Sequence, residues 1–347
     1  MLNRLSPLGK SASARLAELY KHRPDQTVVI AGSLVTGFGN SRSDLDVYVI
    51  GETLPLAHEM DLKQYDFHVT VAPDGTVAER DDDTAPDSQV KEVFKYSNGG
   101  LGPVHITFLT TSQVEKLRDR VEEVFARAAA TVDYMRGYDT ADFGYTPFVF
   151  LGKLLQGECL ANPELFESLL GQEIRSKFCF ISYRYKCPTY VEMNDAAGSW
   201  EAGDFLMAAL FSRIVLESFS WSLSLLTLDT NTNPKWVTKC ITAWPERYRQ
   251  LSQTCLSLLL GDISNEAAQK AFTPKALDTV DELIRACVRE QDANPVMPKS
   301  RSLLALFDDY FAGRLTKDAN QQDYDWEKRV YGADSLPTTT LYRIKSD

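Results

Sequence analysis

The sequence predicts an α/β domain followed by an all-helical one, and three observations carry that reading. Short β-branched runs crowd the first 110 residues, among them TVVIA and DLDVYVI, each bounded by turn-forming residues. Beyond them the apolar residues recur at three and four, beginning with Val114, Leu117, Val121, Val124, Phe125 and Ala128, which is one face of a helix. A chain of 347 residues that is 44% hydrophobic has material for two cores of ordinary size. The expected division is residues 1–112 for a mixed sheet flanked by helices, 113–330 for the helical domain, and 331–347 for a loose tail.

The elements follow in order. Ala12, Leu16, Leu19 and Tyr20 lie at helical spacing, and Arg23-Pro24 ends that segment. TVVIAGS, 27–33, is an apolar strand running into a Gly-Ser turn, and DLDVYVIG, 44–51, is a second strand. YDFHVTVAPDGTVAER, 65–80, reads as two strands around a Pro-Asp-Gly turn, with Asp66, His68 and Thr70 on its polar face. ERDDDTAPDS, with Asp81 to Asp83, reads as a solvated loop. A helix is expected near 88–97, then the turn SNGGLGP and the strand VHITFLT, 104–110. Helices are expected over 147–156, 163–171, 201–227, 234–259, 265–271, 274–290 and 300–313; only FCFISYRY, 178–185, hints at alternation.

A net charge of −11 and a pI near 5.0 argue against a duplex nucleic-acid partner, which needs a basic face. Six cysteines without a CxxC pair suggest reduced core thiols rather than a zinc or redox motif. The opening residues have no continuous apolar core of signal-peptide length. The apolar stretch 205–228 holds Arg213 and Glu217, spaced to pair within one helix, so it reads as a buried helix and not a membrane span. A cytoplasmic location is expected.

The chemistry concentrates in VVIAGSLVTGFGNSRSDLDVYVI, 28–50. Alternate strand residues share a face, so Asp44 and Asp46 stand about 7 Å apart on one side while Leu45, Val47 and Val49 turn to the core. Two neighbouring carboxylates repel unless a cation sits between them, and oxygen donors at that spacing suit Mg²⁺ or Mn²⁺. Upstream, Gly32 lets backbone approach a ligand and Ser33 adds a hydroxyl; a helix opening at SLVTGF would aim free N–H groups at a phosphate. Gly37-Phe38 breaks a Walker A loop, and GFGNSR lacks the last glycine of a dinucleotide fingerprint. Tyr48 stands where a calcium-binding EF-hand loop needs an oxygen ligand.

Gly-Ser, ten intervening residues, then Asp-x-Asp between apolar neighbours resembles the nucleotidyltransferases of the DNA polymerase β superfamily. Ile30-Ala31-Gly32-Ser33 and Ser43-Asp44-Leu45-Asp46-Val47 match that family's motif residue by residue, most closely its small-molecule prokaryotic form; the resemblance covers residues 27–50. It implies a nucleotidyltransferase-type α/β domain with a helical domain after it. It further implies Mg²⁺ or Mn²⁺ on Asp44 and Asp46, and the β and γ phosphates of a nucleoside triphosphate on Gly32 and Ser33. A hydroxyl of a small-molecule acceptor then attacks the α phosphorus and pyrophosphate leaves, with AMP the expected group transferred.

The family's third carboxylate has no evident counterpart. The matching strand, VHITFLT, offers His105 and Thr107, and Asp66 is the alternative catalytic candidate. A general base could come from Asp195, Glu201 or Asp204 of the helical domain, although Glu201 and Asp204 also suit a helix's first turn. Lys235 or Lys239 could reach the triphosphate, as helical-domain lysines do in the family. Two other readings stay open: a nucleotide acceptor, giving a short or cyclic oligonucleotide, and a nucleotide-binding or interaction module that has lost the chemistry.

Overall fold

The computed structural model describes residues 16, 20–40, 42–79, 84–96, 103–132, 145–187, 190–314, 318–332 and 337–344. Most of the expected helix at 11–21, the run Asp81 to Asp83 and most of the turn SNGGLGP lie outside them. The chain forms two compact units: Met1–Val121 with Phe143–Ile174, and Glu122–Asp142 with Arg175–Asp347. This differs from a division at residue 112, because the segment after residue 143 returns to the first unit.

The first unit is built on a seven-stranded mixed sheet. Its strands are β1 (Thr27–Ala31), β2 (Leu45–Gly51), β3 (Phe67–Val71), β4 (Val77–Glu79), β5 (Gln89–Lys95), β6 (Val104–Thr110) and β7 (Glu158–Ala161), in the order β4-β3-β5-β6-β2-β1-β7. Only β2 and β6 pair in parallel. A short helix α1 (Ser33–Thr36) links β1 towards β2; α2 (Thr111–Ala130) follows β6; α3 (Tyr145–Gln156) and α4 (Pro163–Leu170) bracket β7. One face of the sheet is a continuous apolar core holding Val28, Ile30, Leu45, Val47, Val93 and Ile106. That face is what the alternation in DLDVYVI dictates.

Three expectations for this unit are corrected. Residues 89–95 form strand β5, not a helix near 88–97. The register explains the difference: Val69 pairs with Glu92 but Thr70 with Val90, so Lys91 is an extra residue in a bulge. The bulge puts Val90 and Val93, three apart, on the same buried face, and that spacing imitates a helix. His68 and Thr70 lie opposite Val93 and Val90 and are 7% and 1% exposed, so their face is the core and not the polar side. Finally, β7 joins the edge of the sheet beyond β1, where only helices were expected. Gly157 permits this, since a Cβ there would stand 2.4 Å from Val29 Cγ1 and 2.9 Å from the Ile30 carbonyl oxygen.

The second unit is helical. It contains α5 (Ile174–Lys186), α6 (Tyr190–Glu201), α7 (Phe205–Leu226), α8 (Val237–Thr242), α9 (Arg249–Leu259), α10 (Glu266–Ala293), α11 (Ser300–Phe311), α12 (Asp318–Gly332) and α13 (Thr338–Leu341). FCFISYRY belongs to α5 and not to a strand. The helix α10 runs unbroken through the buried Pro274, where two helices were expected. Packing against α7, with burial running from Phe272 to Gln291, outweighs the one backbone hydrogen bond that proline removes. Among the described residues α7 alone is long and apolar enough to cross a membrane, but Ala208, Val215, Leu216 and Phe219 on it are buried and α6 and α10 pack on it. It is the core helix of this unit. Arg213 does not turn to Glu217: its guanidinium donates to the Gly261 carbonyl at 2.7 Å and lies over the Phe272 ring. Of the expected loose tail, the described stretch 337–344 holds the buried Thr338 and Ile344.

Candidate functional site

The two halves of the Gly-Ser and Asp-x-Asp motif meet. The antiparallel register of β1 and β2 sets Ala31 opposite Asp46, which brings the turn after β1 against the start of β2. Gly32 has φ 85° and ψ −173°, a backbone region open in practice to glycine alone. A Cβ built there would stand 2.4 Å from Asp46 Oδ2, so the carboxylate rests on the bare Cα. Behind the turn, Gly39 donates its N–H to the Ser33 carbonyl at 2.7 Å, and a Cβ on Gly39 would crowd Ser33 Oγ at 2.9 Å. The helix that opens at Ser33 is only one turn long.

Asp46 is 6% exposed, whereas Asp44, just ahead of the strand, is exposed. Burial pushes the Asp46 carboxyl up despite the attraction of Lys153, and the charge of Asp44 pushes it the same way. Lys153 Nζ reaches both Asp46 oxygens at 3.0 Å. It comes from α3, whose Phe150 meets Tyr48 edge to face, centroids 4.9 Å apart. The sequence reading missed Lys153, yet a signal was present: it is the only charged residue in YTPFVFLGKLLQ, a helix that otherwise reads as pure core.

His105 lies directly across from Asp46 on β6. Its Nε2 sits 3.2 Å from Glu92 Oε2 of β5, a residue hidden from sequence reading by the bulge beside it. The Glu92 hydrogen bond, with the charges of Glu92 and Asp46 adding to it, holds the His105 pKa above its usual 6.5. The same bond draws the Glu92 carboxyl below its usual 4.5. His105 therefore gives stability that is present below pH 6.5 and is lost as pH rises through its raised value, and Glu92 gives stability that is lost as pH falls through its lowered one. Side chains 31% and 43% exposed limit the pair to less than about 1 kcal/mol. In an NMR titration the His105 ring is expected to titrate above 6.5 and to move back towards that value in Glu92→Gln. A wild-type midpoint at or below 6.5 would mean that the pair does not form.

Of the other candidates, Asp66 lies in the sheet unit and the rest belong to the helical unit. Asp66 precedes β3, and its Oδ2 accepts the Tyr96 N–H at 2.7 Å while Lys95 stands 3.9 Å from Oδ1. Across the sheet from Phe94 and Glu92 the register sets Phe67 and Val69, so Asp66 is not brought to Asp46. Lys235 and Lys239 are exposed in the helical unit, Lys235 Nζ lying 5.1 Å from the Trp236 ring centroid. Asp204 caps α7, accepting the Met207 N–H at 3.1 Å, as a first-turn acid does. Glu201 ends α6, and Asp195 is exposed on it.

Among the described residues no three of His, Cys, Asp and Glu gather into a ready metal cluster. A buried carboxylate with an acidic neighbour nevertheless offers the hard oxygen donors that Mg²⁺ or Mn²⁺ accepts alongside phosphate oxygens. Lys153, with a side chain 41% exposed, is free to yield its place to such an ion. A scan of protein-family models finds no match to the chain, and a search of curated proteins finds no relative.

Proposed function

We propose that the sheet unit is the catalytic domain of a metal-dependent nucleotidyltransferase of the DNA polymerase β type, which moves a nucleoside monophosphate, AMP by expectation, to a hydroxyl of a small-molecule acceptor. The observation that carries this reading is the close approach of Asp46 to Gly32, where a Cβ would stand 2.4 Å from Oδ2, which joins the glycine turn to a buried acid. In this reading Asp44 and Asp46 hold Mg²⁺ or Mn²⁺, and the backbone at Gly32 and the Ser33 hydroxyl cradle the β and γ phosphates. The bound ion would supply charge neutralisation for an in-line displacement on phosphorus. The new bond joins the acceptor oxygen to the α phosphorus; the bond from that phosphorus to the bridging oxygen breaks, pyrophosphate leaves with the electron pair, and the hydroxyl proton passes to solvent. The chain's part is to fix the triphosphate against the turn, so that positioning does most of the work.

One observation favours a second reading, a nucleotide-binding module without the chemistry: on the strand where the resemblance expects a third acid, His105 is the residue across from Asp46, and Lys153 already neutralises Asp46. Titration calorimetry of ATP with and without Mg²⁺ separates the two. Under the first reading Asp46→Ala abolishes a Mg²⁺-dependent binding that Lys153→Met keeps. Under the second, binding ignores Mg²⁺ and Lys153→Met weakens it. Equal Mg-ATP affinity in wild type and Asp46→Ala would sink the metal-site proposal.

A further inference from the structure

A cation in the core of the helical unit lacks an acceptor. Arg184, on α5, is 3% exposed, and none of its three guanidinium nitrogens has a hydrogen-bond partner among the described residues. Two rings lie against it. Its Cζ is 4.8 Å from the Tyr331 centroid and 5.9 Å from that of Phe307, and these rings stack on each other, centroids 5.5 Å apart. Attraction to ring faces offsets part of the charge but leaves the N–H groups, which lie in the guanidinium plane, without acceptors. A guanidinium does not shed its proton inside a protein, so burial cannot neutralise it. A buried charge without a counter-ion is strongly destabilising. A second orphan borders the same ring: the Tyr183 hydroxyl is buried without a hydrogen-bond partner, and its ring lies 6.3 Å from that of Tyr331. Burial holds this phenol well above its usual pKa of 10.0, so it keeps a proton to donate. The acids whose charge reaches this neighbourhood, Glu192 and Glu327, are felt at Cys187, but neither accepts from the guanidinium.

We propose that Arg184 and Tyr183 hold a small monovalent anion, a halide such as chloride, in the core of the helical unit. The site is independent of the nucleotidyl-transfer reading. The size and charge of the ligand follow from burial. The nitrogens are closed to solvent, and an organic anion brings a body that a closed site does not admit. Sulfate or doubly charged phosphate would carry about four times the desolvation cost of a single charge into the same place, since that cost grows with the square of the charge. An ordered water is the neutral occupant, and it satisfies donors without compensating the cation.

The test is urea unfolding of the full chain, followed by tryptophan fluorescence, as sodium chloride replaces sodium gluconate at constant total salt. Urea is used because guanidinium chloride would itself supply the anion. An anion that binds only the folded chain raises the folding equilibrium constant by a factor approaching about ten for each ten-fold rise in its concentration above the dissociation constant. Wild type is expected to show this rise, and bromide to reproduce it. Arg184→Met is expected to fold, because an apolar chain of similar length replaces a charge with no partner in the protein, and to lose the response. Arg184→Lys and Tyr183→Phe each keep part of the site and are expected to respond only at higher chloride, which gives a reading even if the methionine variant does not fold. The proposal is overturned if wild type unfolds alike in chloride and gluconate, which leaves water as the occupant. It is overturned as well if Arg184→Met responds as wild type does, or if both partial variants respond at wild-type chloride, since the effect then belongs to the surface.

Discussion

Gly32→Ala is expected to abolish Mg²⁺-dependent ATP binding and to cut nucleotide transfer by at least ~10²-fold, the cost of displacing reacting groups by about an ångström. Two independent effects act at this position. The backbone conformation, φ 85° and ψ −173°, costs a residue with a side chain about 1–3 kcal/mol. The new methyl would also lie 2.4 Å from Asp46 Oδ2 and 3.3 Å from its Cγ, so the carboxylate must move away from the turn. That movement has little room, because β2 is buried along its whole length. Gly37→Ala is the control. Gly37 also has positive φ, 76°, but nothing stands within 4 Å of its added Cβ, so the variant is expected to lose about 1–2 kcal/mol of stability and to keep ATP binding. If Gly32→Ala binds Mg-ATP like wild type, the turn is not the phosphate cradle.

The contrast between these two glycines shows what was legible in the sequence and what was not. That Gly32 and Asp46 meet follows from residue types and spacing, because a short strand, a turn and a second strand leave few ways to pair. The alternation in Leu45, Val47 and Val49 fixes which face is core, and hence that Asp46 looks the other way. Lys153 could not be placed by the same logic. It approaches Asp46 from 107 residues along the chain, after a segment that returns to the sheet, and such long-range contacts leave no local periodicity. Glu92 was hidden for a different reason: one inserted residue in β5 converts a period of two into three, and local pattern then reads a helix.

The helical unit repeats the lesson at a larger scale. Its helices are evident from apolar spacing, but the residue that ties three of them together is an acid inside α10. Asp281 is 3% exposed, Arg329 1% and Thr338 0%. Arg329 of α12 donates to Asp281 Oδ1 from Nε at 3.0 Å, with Nη2 at 2.7 Å from the same oxygen. Thr338, at the start of α13, donates its backbone N–H to Oδ2 at 2.9 Å and its hydroxyl to Oδ1. Nothing in the spacing of residues 281, 329 and 338 announces this, because the partners meet only once the helices have packed.

Asp281→Ala is therefore expected to be the most destabilising single change in the helical unit, by about 3–5 kcal/mol, since it takes from the buried Arg329 guanidinium the carboxylate that accepts its Nε–H. For a unit of this size that corresponds to a melting temperature lower by about 6–20 °C. All five tryptophans, Trp200, Trp221, Trp236, Trp244 and Trp326, belong to this unit, so their fluorescence follows its unfolding directly. Removing both charges separates a lost contact from an orphaned one. Asp281→Leu combined with Arg329→Met is expected to regain a good part of the loss, because two apolar groups of similar size need no partner where one buried charge does. Thr338 would still lose its acceptor in that pair, which keeps the recovery short of complete. A loss below about 1 kcal/mol in Asp281→Ala would place the carboxylate in water, and the bond between α10, α12 and α13 would have to be redrawn.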